Sequence, residues 1–175
     1  MSTERQRKIE LLARKNEAKR EHSSYLTEIS HVLKREINED ELFDLETTDK
    51  LFSKSINASK ESHWILQRSW PFHPRSTWTR VCFCLAEQLG PEPVVLFAGA
   101  YKLCGAVRSK AEYPLVNALS VLEFDKDSLS IQSLNSDGGL YLDMYEENST
   151  WRIELKIWGE WYFRAKECLV PQCNS

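Results

Sequence analysis

Apolar and polar positions alternate through residues 137–161, and this pattern predicts a β-hairpin. The apolar positions of its two arms are Leu140, Leu142, Met144, Trp151, Ile153, Leu155 and Ile157. Because side chains on a strand point alternately to opposite faces, each arm can present one apolar face to a core. The positions between them hold acids and aromatic residues, so the other face should form an acidic, aromatic surface.

Further strand patterns occur upstream of the hairpin. Residues 79–85 are rich in β-forming residues, and residues 94–98 form a continuous apolar run typical of a central strand buried on both faces. Short strands are also expected at 103–107 and at 128–133. Residues 61–78 combine tryptophans that favour burial with prolines that interrupt regular structure, so the pattern there predicts no single element.

Helical periodicity is concentrated in the first third of the chain. The N-terminal segment predicts a basic helix with a thin apolar stripe, and Thr3 is placed to cap it. Amphipathic helices are expected over 24–35 and over about 48–57, and another should begin at Pro114. These elements predict an α+β fold in which N-terminal helices pack on a mainly antiparallel β-sheet with one further helix.

The length of 175 residues favours a single domain with three regions. These are a helical N-terminal region over 1–60, an α+β body over 61–165 and a tail over 166–175. No apolar run approaches the length of a membrane span, and the N-terminus lacks the apolar segment of a signal peptide, so we expect a cytoplasmic protein.

Five cysteines are an odd number, and their spacing does not match a zinc site. Cys82 and Cys84 lie on the strand predicted at 79–85, where they would share a face. Because a reducing cytosol keeps thiols free, we expect unpaired cysteines. Nothing in the sequence calls for a metal or another cofactor, since nucleotide-binding glycine motifs are also absent.

Charge is distributed unevenly along the chain, whose net charge is -3. Residues 1–36 carry nine basic and six acidic side chains, whereas the rest carries 14 basic and 20 acidic. Residues 120–160 are acidic, and only Lys126, Arg152 and Lys156 oppose them. Such a surface favours a basic partner and disfavours direct nucleic-acid binding by the body. The candidate partner-binding residues are Asp125, Asp127, Asp137, Tyr141, Asp143, Tyr145, Glu146, Glu147, Glu154, Trp158 and Glu160.

Two other functions remain open at this stage. A small hydrolase could use His63, which lies beside Trp64, together with a carboxylate. An RNA-associated protein could use the basic helix over residues 5–20, although glutamates interleaved with its cations reduce the local field. The expected turn position of Glu146 and Glu147 favours solvated or partner-binding carboxylates over a metal site, and we assign no catalytic residue.

The sequence resembles a family of bacterial immunity proteins that accompany polymorphic toxins and contact-dependent growth inhibition systems. The resemblance covers roughly residues 80–160. It rests on LYLD at 140–143, IWGEW at 157–161 and VLF at 95–97, together with NAL at 117–119 leading into EFD at 123–125. It implies a non-enzymatic inhibitor that binds one cognate toxin, often a nuclease. A nuclease surface is basic because it holds phosphates, so an acidic inhibitor could compete for it.

Overall fold

An antiparallel sheet of six strands organises the computed structural model, which describes residues 3–125 and 128–169. The strands are β1 (Ile65–Pro71), β2 (Pro93–Phe97), β3 (Val107–Lys110), β4 (Ser128–Ser133), β5 (Gly138–Glu147) and β6 (Thr150–Gly159). Their order across the sheet is β1-β6-β5-β4-β2-β3. The predicted hairpin, β5–β6, therefore lies inside the sheet, and β1 and β3 form its edges.

Helices surround this sheet on both faces. They are α1 (Thr3–Leu33), α2 (Leu45–Glu61), α3 (Ser76–Leu89), α4 (Tyr101–Cys104), α5 (Glu112–Val116), α6 (Ala118–Phe124) and α7 (Trp161–Ala165). Two short 3₁₀ helices occupy Glu39–Glu41 and Lys166–Leu169. The α+β class is confirmed, but the expectation of one further helix was wrong, since α3 to α7 all follow the N-terminal pair. None of the described helices combines the length and apolar character needed to cross a bilayer.

One face of the sheet, the core face, carries most of the hydrophobic core. It holds the apolar positions predicted for the hairpin: Ile153, Leu155 and Ile157 are at most 1% exposed, whereas Trp151 at the tip is 46% exposed. Side chains from α1, α3, α5, α6 and α7 pack against this face in one cluster. Because burying a Leu or Ile side chain contributes about 1.5–3 kcal/mol, this layer supplies most of the driving force for folding.

The opposite face, the α2 face, is only partly covered. In α2, Asp44 caps the helix by accepting a hydrogen bond from the Thr47 amide at 2.9 Å. The Phe52 ring packs against the Phe97 ring of β2 with centroids 5.4 Å apart. Toward the hairpin tip the side chains on this face are half-buried. The fold therefore uses one face for the core and leaves part of the other accessible.

The strand predicted at 79–85 was wrong, because these residues belong to α3. Its buried positions are Trp78, Cys82, Leu85, Ala86 and Leu89, and they recur every three or four residues along one helix face. The β-forming residue types were therefore outweighed by packing on the core face. The strand predicted at 103–107 was also wrong: α4 ends at Cys104 and β3 begins at Val107.

The prediction of unpaired cysteines was also wrong. A disulfide joins Cys84 in α3 to Cys168 near the end of the described chain. Cys82 and Cys104 are free and buried, and Cys173 lies outside the described residues. Since α3 is helical, Cys82 and Cys84 point in different directions and do not share a face. Thr3 begins α1, but the capping contact predicted for its side chain lies outside what the structure describes.

Candidate functional site

The α2 face is organised as rows of side chains that run across the strands. Residues in register on neighbouring antiparallel strands point to the same side, so each row is a line of adjacent side chains. One row contains Lys156, Tyr141, Ser130 and Phe97. The next row toward the hairpin tip contains Ser69, Glu154, Asp143 and Ser128. These rows bring acids, tyrosines and hydroxyls together on one surface.

Several predicted partner-binding residues meet on this surface. We call it the open patch and define it as Asp125, Tyr141, Asp143, Tyr145, Glu147, Arg152, Glu154 and Lys156. All except Glu147 are half-buried, and Glu147 is exposed. Glu147 forms an ion pair with Arg152 at 3.3 Å, so part of the negative charge is compensated locally. In total the patch holds four carboxylates and two cations, so it is acidic.

Like charges face each other within the open patch. Asp143 and Glu154 are direct cross-strand partners, and the Tyr141 hydroxyl donates a hydrogen bond to Asp143 at 3.2 Å. Directly opposed like charges destabilise a sheet pair. The Tyr141 hydroxyl stabilises Asp143 within the fold, and a cationic binding partner would add electrostatic attraction to both carboxylates.

The remaining predicted residues lie elsewhere. Glu146 is the cross-strand partner of Trp151, and the alternation of β5 places it on the core-face side of the exposed tip. Glu146 and Glu147 belong to β5, so their assignment to the turn was wrong; the turn is Asn148–Ser149, both at positive φ as a two-residue type I′ turn requires.

Asp137 and Glu160 lie at the opposite end of the hairpin from its tip. This separation is roughly 30 Å, since β5 spans ten residues at about 3.3 Å each. Asp137 accepts a hydrogen bond from Ser133 Oγ at 2.6 Å and so serves its own turn. Trp158 is only 3% exposed, which suits it to support the sheet and not to anchor a partner. Asp127 lies outside the described residues.

A cavity of about 390 Å³ lies between α2 and the row of Lys156, Tyr141 and Ser130. Its wall on the α2 side includes Ser55 and Ser59, and Trp158 contributes to its lining. Serine side chains are too short to fill the space between the helix and the sheet, so the cavity remains. It lies beside the open patch and shares three of its residues, Asp125, Tyr141 and Lys156.

Asp125 provides a desolvated carboxylate at this cavity. It follows the last residue of α6, and its side chain accepts hydrogen bonds from the Gly99 amide at 2.5 Å and from Ser128 Oγ at 2.8 Å. Burial raises the pKa of Asp125, and these two hydrogen bonds together with the charge of Lys102 only partly oppose the effect. A further cation would stabilise the charged carboxylate.

Two tyrosine hydroxyls line the same cavity. Burial raises the pKa of Tyr101 to about 12, and the charges of Asp125 and Asp49 add to the effect. Burial likewise raises the pKa of Tyr141 to about 12, with Asp143 as the nearest contributing charge. Both hydroxyls therefore stay protonated at neutral pH, in an environment made negative by carboxylates.

Sequence reasoning missed Phe52 and Tyr101 as part of this site. Both line the cavity, and their ring centroids lie 5.6 Å apart. The available signal was the helical spacing of Phe52, Ser55 and Ser59, which places two small polar residues beside an aromatic one on a single helix face. Without the position of α2 above the sheet, that pattern does not indicate a cavity.

The two alternative functions receive no support from the geometry. His63 is exposed, and it does not line the main cavities of the described part of the chain. In α1, Lys8 pairs with Glu4 at 3.1 Å, and Arg14 pairs with Asp49 at 2.7 Å. Part of the basic charge in this helix is thus used within the protein.

Metal-binding geometry is likewise not found in the part of the chain that the structure describes, where no three His, Cys, Asp or Glu side chains are grouped to hold an ion. The features that remain are a surface rich in acids and tyrosines and the cavity beside it.

Comparisons with protein-family models, with curated proteins and with solved structures found no match to this chain.

Proposed function

We propose that this protein is an immunity protein, which binds and neutralises one cognate toxin domain through its open patch. The toxin is a basic protein, and a nuclease fits best. The resemblance of residues 80–160 to immunity proteins suggests the class, and the open patch supports it physically. The inhibitor acts by occupying the toxin's surface, without catalysis, metal or cofactor.

The observation that carries this proposal is the grouping of Asp125 with the cross-strand neighbours Asp143 and Glu154 on the accessible part of the α2 face. A complex with a basic partner gains electrostatic attraction from these carboxylates. Tyr141 and Tyr145 flank the pair and offer the large, amphipathic side chains that anchor interfaces. A nuclease must carry a basic surface to hold phosphates, so its charge is complementary to this patch.

A cytoplasmic location belongs to the same proposal, since a nuclease toxin finds its substrate there. The Cys84–Cys168 disulfide is typical of oxidising compartments, and in the cytoplasm the two thiols are expected to be mostly reduced. Alkylation of free thiols before cell lysis, followed by mass spectrometry, reports their state directly. A fully oxidised pair in intact cells would contradict the cytoplasmic location.

The first experiment is a calorimetric titration against the toxin-like domain encoded immediately upstream of this chain, together with a growth-rescue assay. We expect nanomolar or tighter binding and rescue, because toxin–immunity pairs of the colicin type approach the practical limit of affinity. Absence of binding, or binding without rescue, would remove the immunity function.

The interface is tested with neutralising substitutions. We expect Asp143→Asn/Glu154→Gln to slow association and to weaken its dependence on ionic strength, because electrostatic steering acts mainly on the association rate. The matched control is Glu87→Gln/Glu123→Gln, which changes the net charge equally on exposed positions of α3 and α6, the helices that cover the core face. If the two double variants slow association equally, net charge and not the open patch governs binding.

A further inference from the structure

The cavity between α2 and the sheet is lined by aromatic rings and polar groups that could bind a ligand. Phe52 and Tyr101 form aromatic walls, and Asp125 with the Tyr101 and Tyr141 hydroxyls forms a polar end. The half-buried Asp125 carboxylate accepts hydrogen bonds from Gly99 and Ser128, and the charge of Lys102 acts on it. It forms no ion pair of 4.0 Å or less with a cation among the described residues. A partly desolvated carboxylate without a close ion pair is suited to receive a positive charge.

We propose that this cavity is a receptor for an arginine side chain supplied by the basic partner. The guanidinium would lie against the aromatic walls and donate hydrogen bonds to Asp125 and to the tyrosine hydroxyls. This inference rests on the proposed function for the source of the arginine, but the cavity itself can be tested without any toxin.

The walls already attract a cation. The Lys102 ammonium lies 5.9 Å from the Phe52 ring centroid and 5.8 Å from the Tyr101 ring centroid. Distances of this order allow attraction between a cation and the electron-rich face of an aromatic ring. These rings are therefore suited to a cation, and an arginine entering the cavity would have to overcome repulsion from Lys102 as well as from Lys156.

Arginine fits this site better than lysine does. A guanidinium is planar, stacks on aromatic rings and carries five donors, whereas an ammonium is a compact and strongly hydrated charge. The acceptors here are spread over Asp125, Tyr101 and Tyr141, and a branched planar donor group can reach several of them together. The cavity of about 390 Å³ leaves room for the whole side chain.

Lys156 distinguishes binding of a cation from binding of an anion in this cavity. It lines the same cavity and is the cross-strand partner of Tyr141, so its charge opposes an incoming arginine. Removing it should therefore strengthen cation binding by about two- to threefold at partly solvated distances. If the cavity receives an anion, removing Lys156 will weaken binding, and this result would overturn the inference.

The probe is N-acetyl-arginine amide, titrated into the full chain while backbone amide shifts are followed by NMR. The matched control ligand is N-acetyl-citrulline amide, which has the same shape without the charge. We expect saturable shifts at Ser128, Ser130 and Tyr141 with the arginine compound alone. Equal responses to both compounds, shifts confined to other parts of the chain, or no shifts would each overturn the inference.

The matched protein variants are Asp125→Asn and Glu160→Gln. Asparagine can still accept the Gly99 hydrogen bond, so the variant tests charge at nearly constant shape. We expect it to weaken arginine-amide binding roughly tenfold, since charge-assisted hydrogen bonds at a desolvated site contribute on that order. Glu160→Gln removes one charge at the far end of the hairpin and should leave affinity unchanged. Equal affinities for both variants would contradict the assignment of Asp125.

The two proposals fail in different ways. If a toxin domain binds the wild type and the Asp125→Asn variant equally, the arginine receptor is wrong and the immunity function stands. If the arginine amide binds as expected but no toxin-like domain does, the receptor stands and the immunity function is wrong.

Discussion

At the scale of single residues, the opposed Asp143 and Glu154 connect stability with function. Glu154→Gln removes the like-charge contact and preserves the shape of the side chain. We expect the variant to raise the free energy of unfolding by roughly 0.2–1 kcal/mol, the usual range for a cross-strand pair, and to weaken partner binding. Urea unfolding and calorimetry measure the two effects on the same protein.

Glu160→Gln is the control for this substitution, because Glu160 lies beyond the end of β6 and has no carboxylate as a cross-strand partner. It should change neither the free energy of unfolding nor partner binding. A loss of stability in Glu154→Gln would show that Glu154 makes a favourable contact within the fold, and the carboxylate pair would then no longer indicate a partner.

The residue scale also shows how far the sequence predicts the site. Period-two alternation places Tyr141 and Asp143 on one face of β5, and this follows from the sequence alone. Their cross-strand partners depend on register, which is set by the positive φ of Asn148 and Ser149 in the turn. The sequence pattern predicts a turn that includes Glu146 and Glu147, so the pairing of Asp143 with Glu154 does not follow from it.

At the scale of secondary-structure elements, the chain was predictable where local pattern and burial agree. The hairpin, β2 and β4 were predicted correctly because at least one face of each strand is buried along most of its length. The helix α3 was not predicted, because its residue types favour a strand whereas its buried positions follow helical spacing. Cys84 was misassigned with it, and its pairing with Cys168 spans 84 residues, a separation over which local patterns carry no information.

The Cys84–Cys168 disulfide gives the prediction for this scale. It joins α3 to the 3₁₀ helix Lys166–Leu169 and closes a long loop in the unfolded chain. Closing a loop of that size restricts the unfolded ensemble, and such bridges typically stabilise by about 2–4 kcal/mol. We expect a reductant to lower the free energy of unfolding of the wild type by this amount and to leave Cys84→Ala/Cys168→Ala unaffected, as measured by urea unfolding.

Cys82→Ala provides the control, because Cys82 is buried in the same helix but forms no disulfide. This variant should be less stable, owing to lost packing, and should keep the wild type's sensitivity to reductant. If wild type and Cys84→Ala/Cys168→Ala respond alike to reductant, the bridge does not contribute to stability.

At the scale of the whole molecule, the two faces of the sheet differ in role: the core face stabilises the fold, and the α2 face carries the proposed binding surface. The core face is covered by five helices, whereas α2 covers only part of the opposite face. Substitutions in the open patch can therefore alter charge without creating a cavity in the core, which suits a protein whose binding surface must match one particular partner. Tyr101 and Tyr141 line the cavity beside this patch, and their ionisation affects the stability of the whole fold.

Tyr101 and Tyr141 predict a loss of stability at alkaline pH. Burial raises the pKa of each to about 12, whereas an unfolded tyrosine titrates near 10. Between about pH 10 and about pH 12 the unfolded chain therefore releases these protons before the folded chain does, and the free energy of unfolding falls as pH rises. Tyr101→Phe/Tyr141→Phe lacks both groups, so its stability should fall less steeply over that window.

Urea unfolding at neutral pH supplies the reference, since there the two proteins differ only in packing and hydrogen bonding. Equal slopes for the two proteins at alkaline pH would show that these hydroxyls are as solvated in the fold as in the unfolded chain, and the cavity would then lack the low-dielectric walls on which an arginine receptor depends.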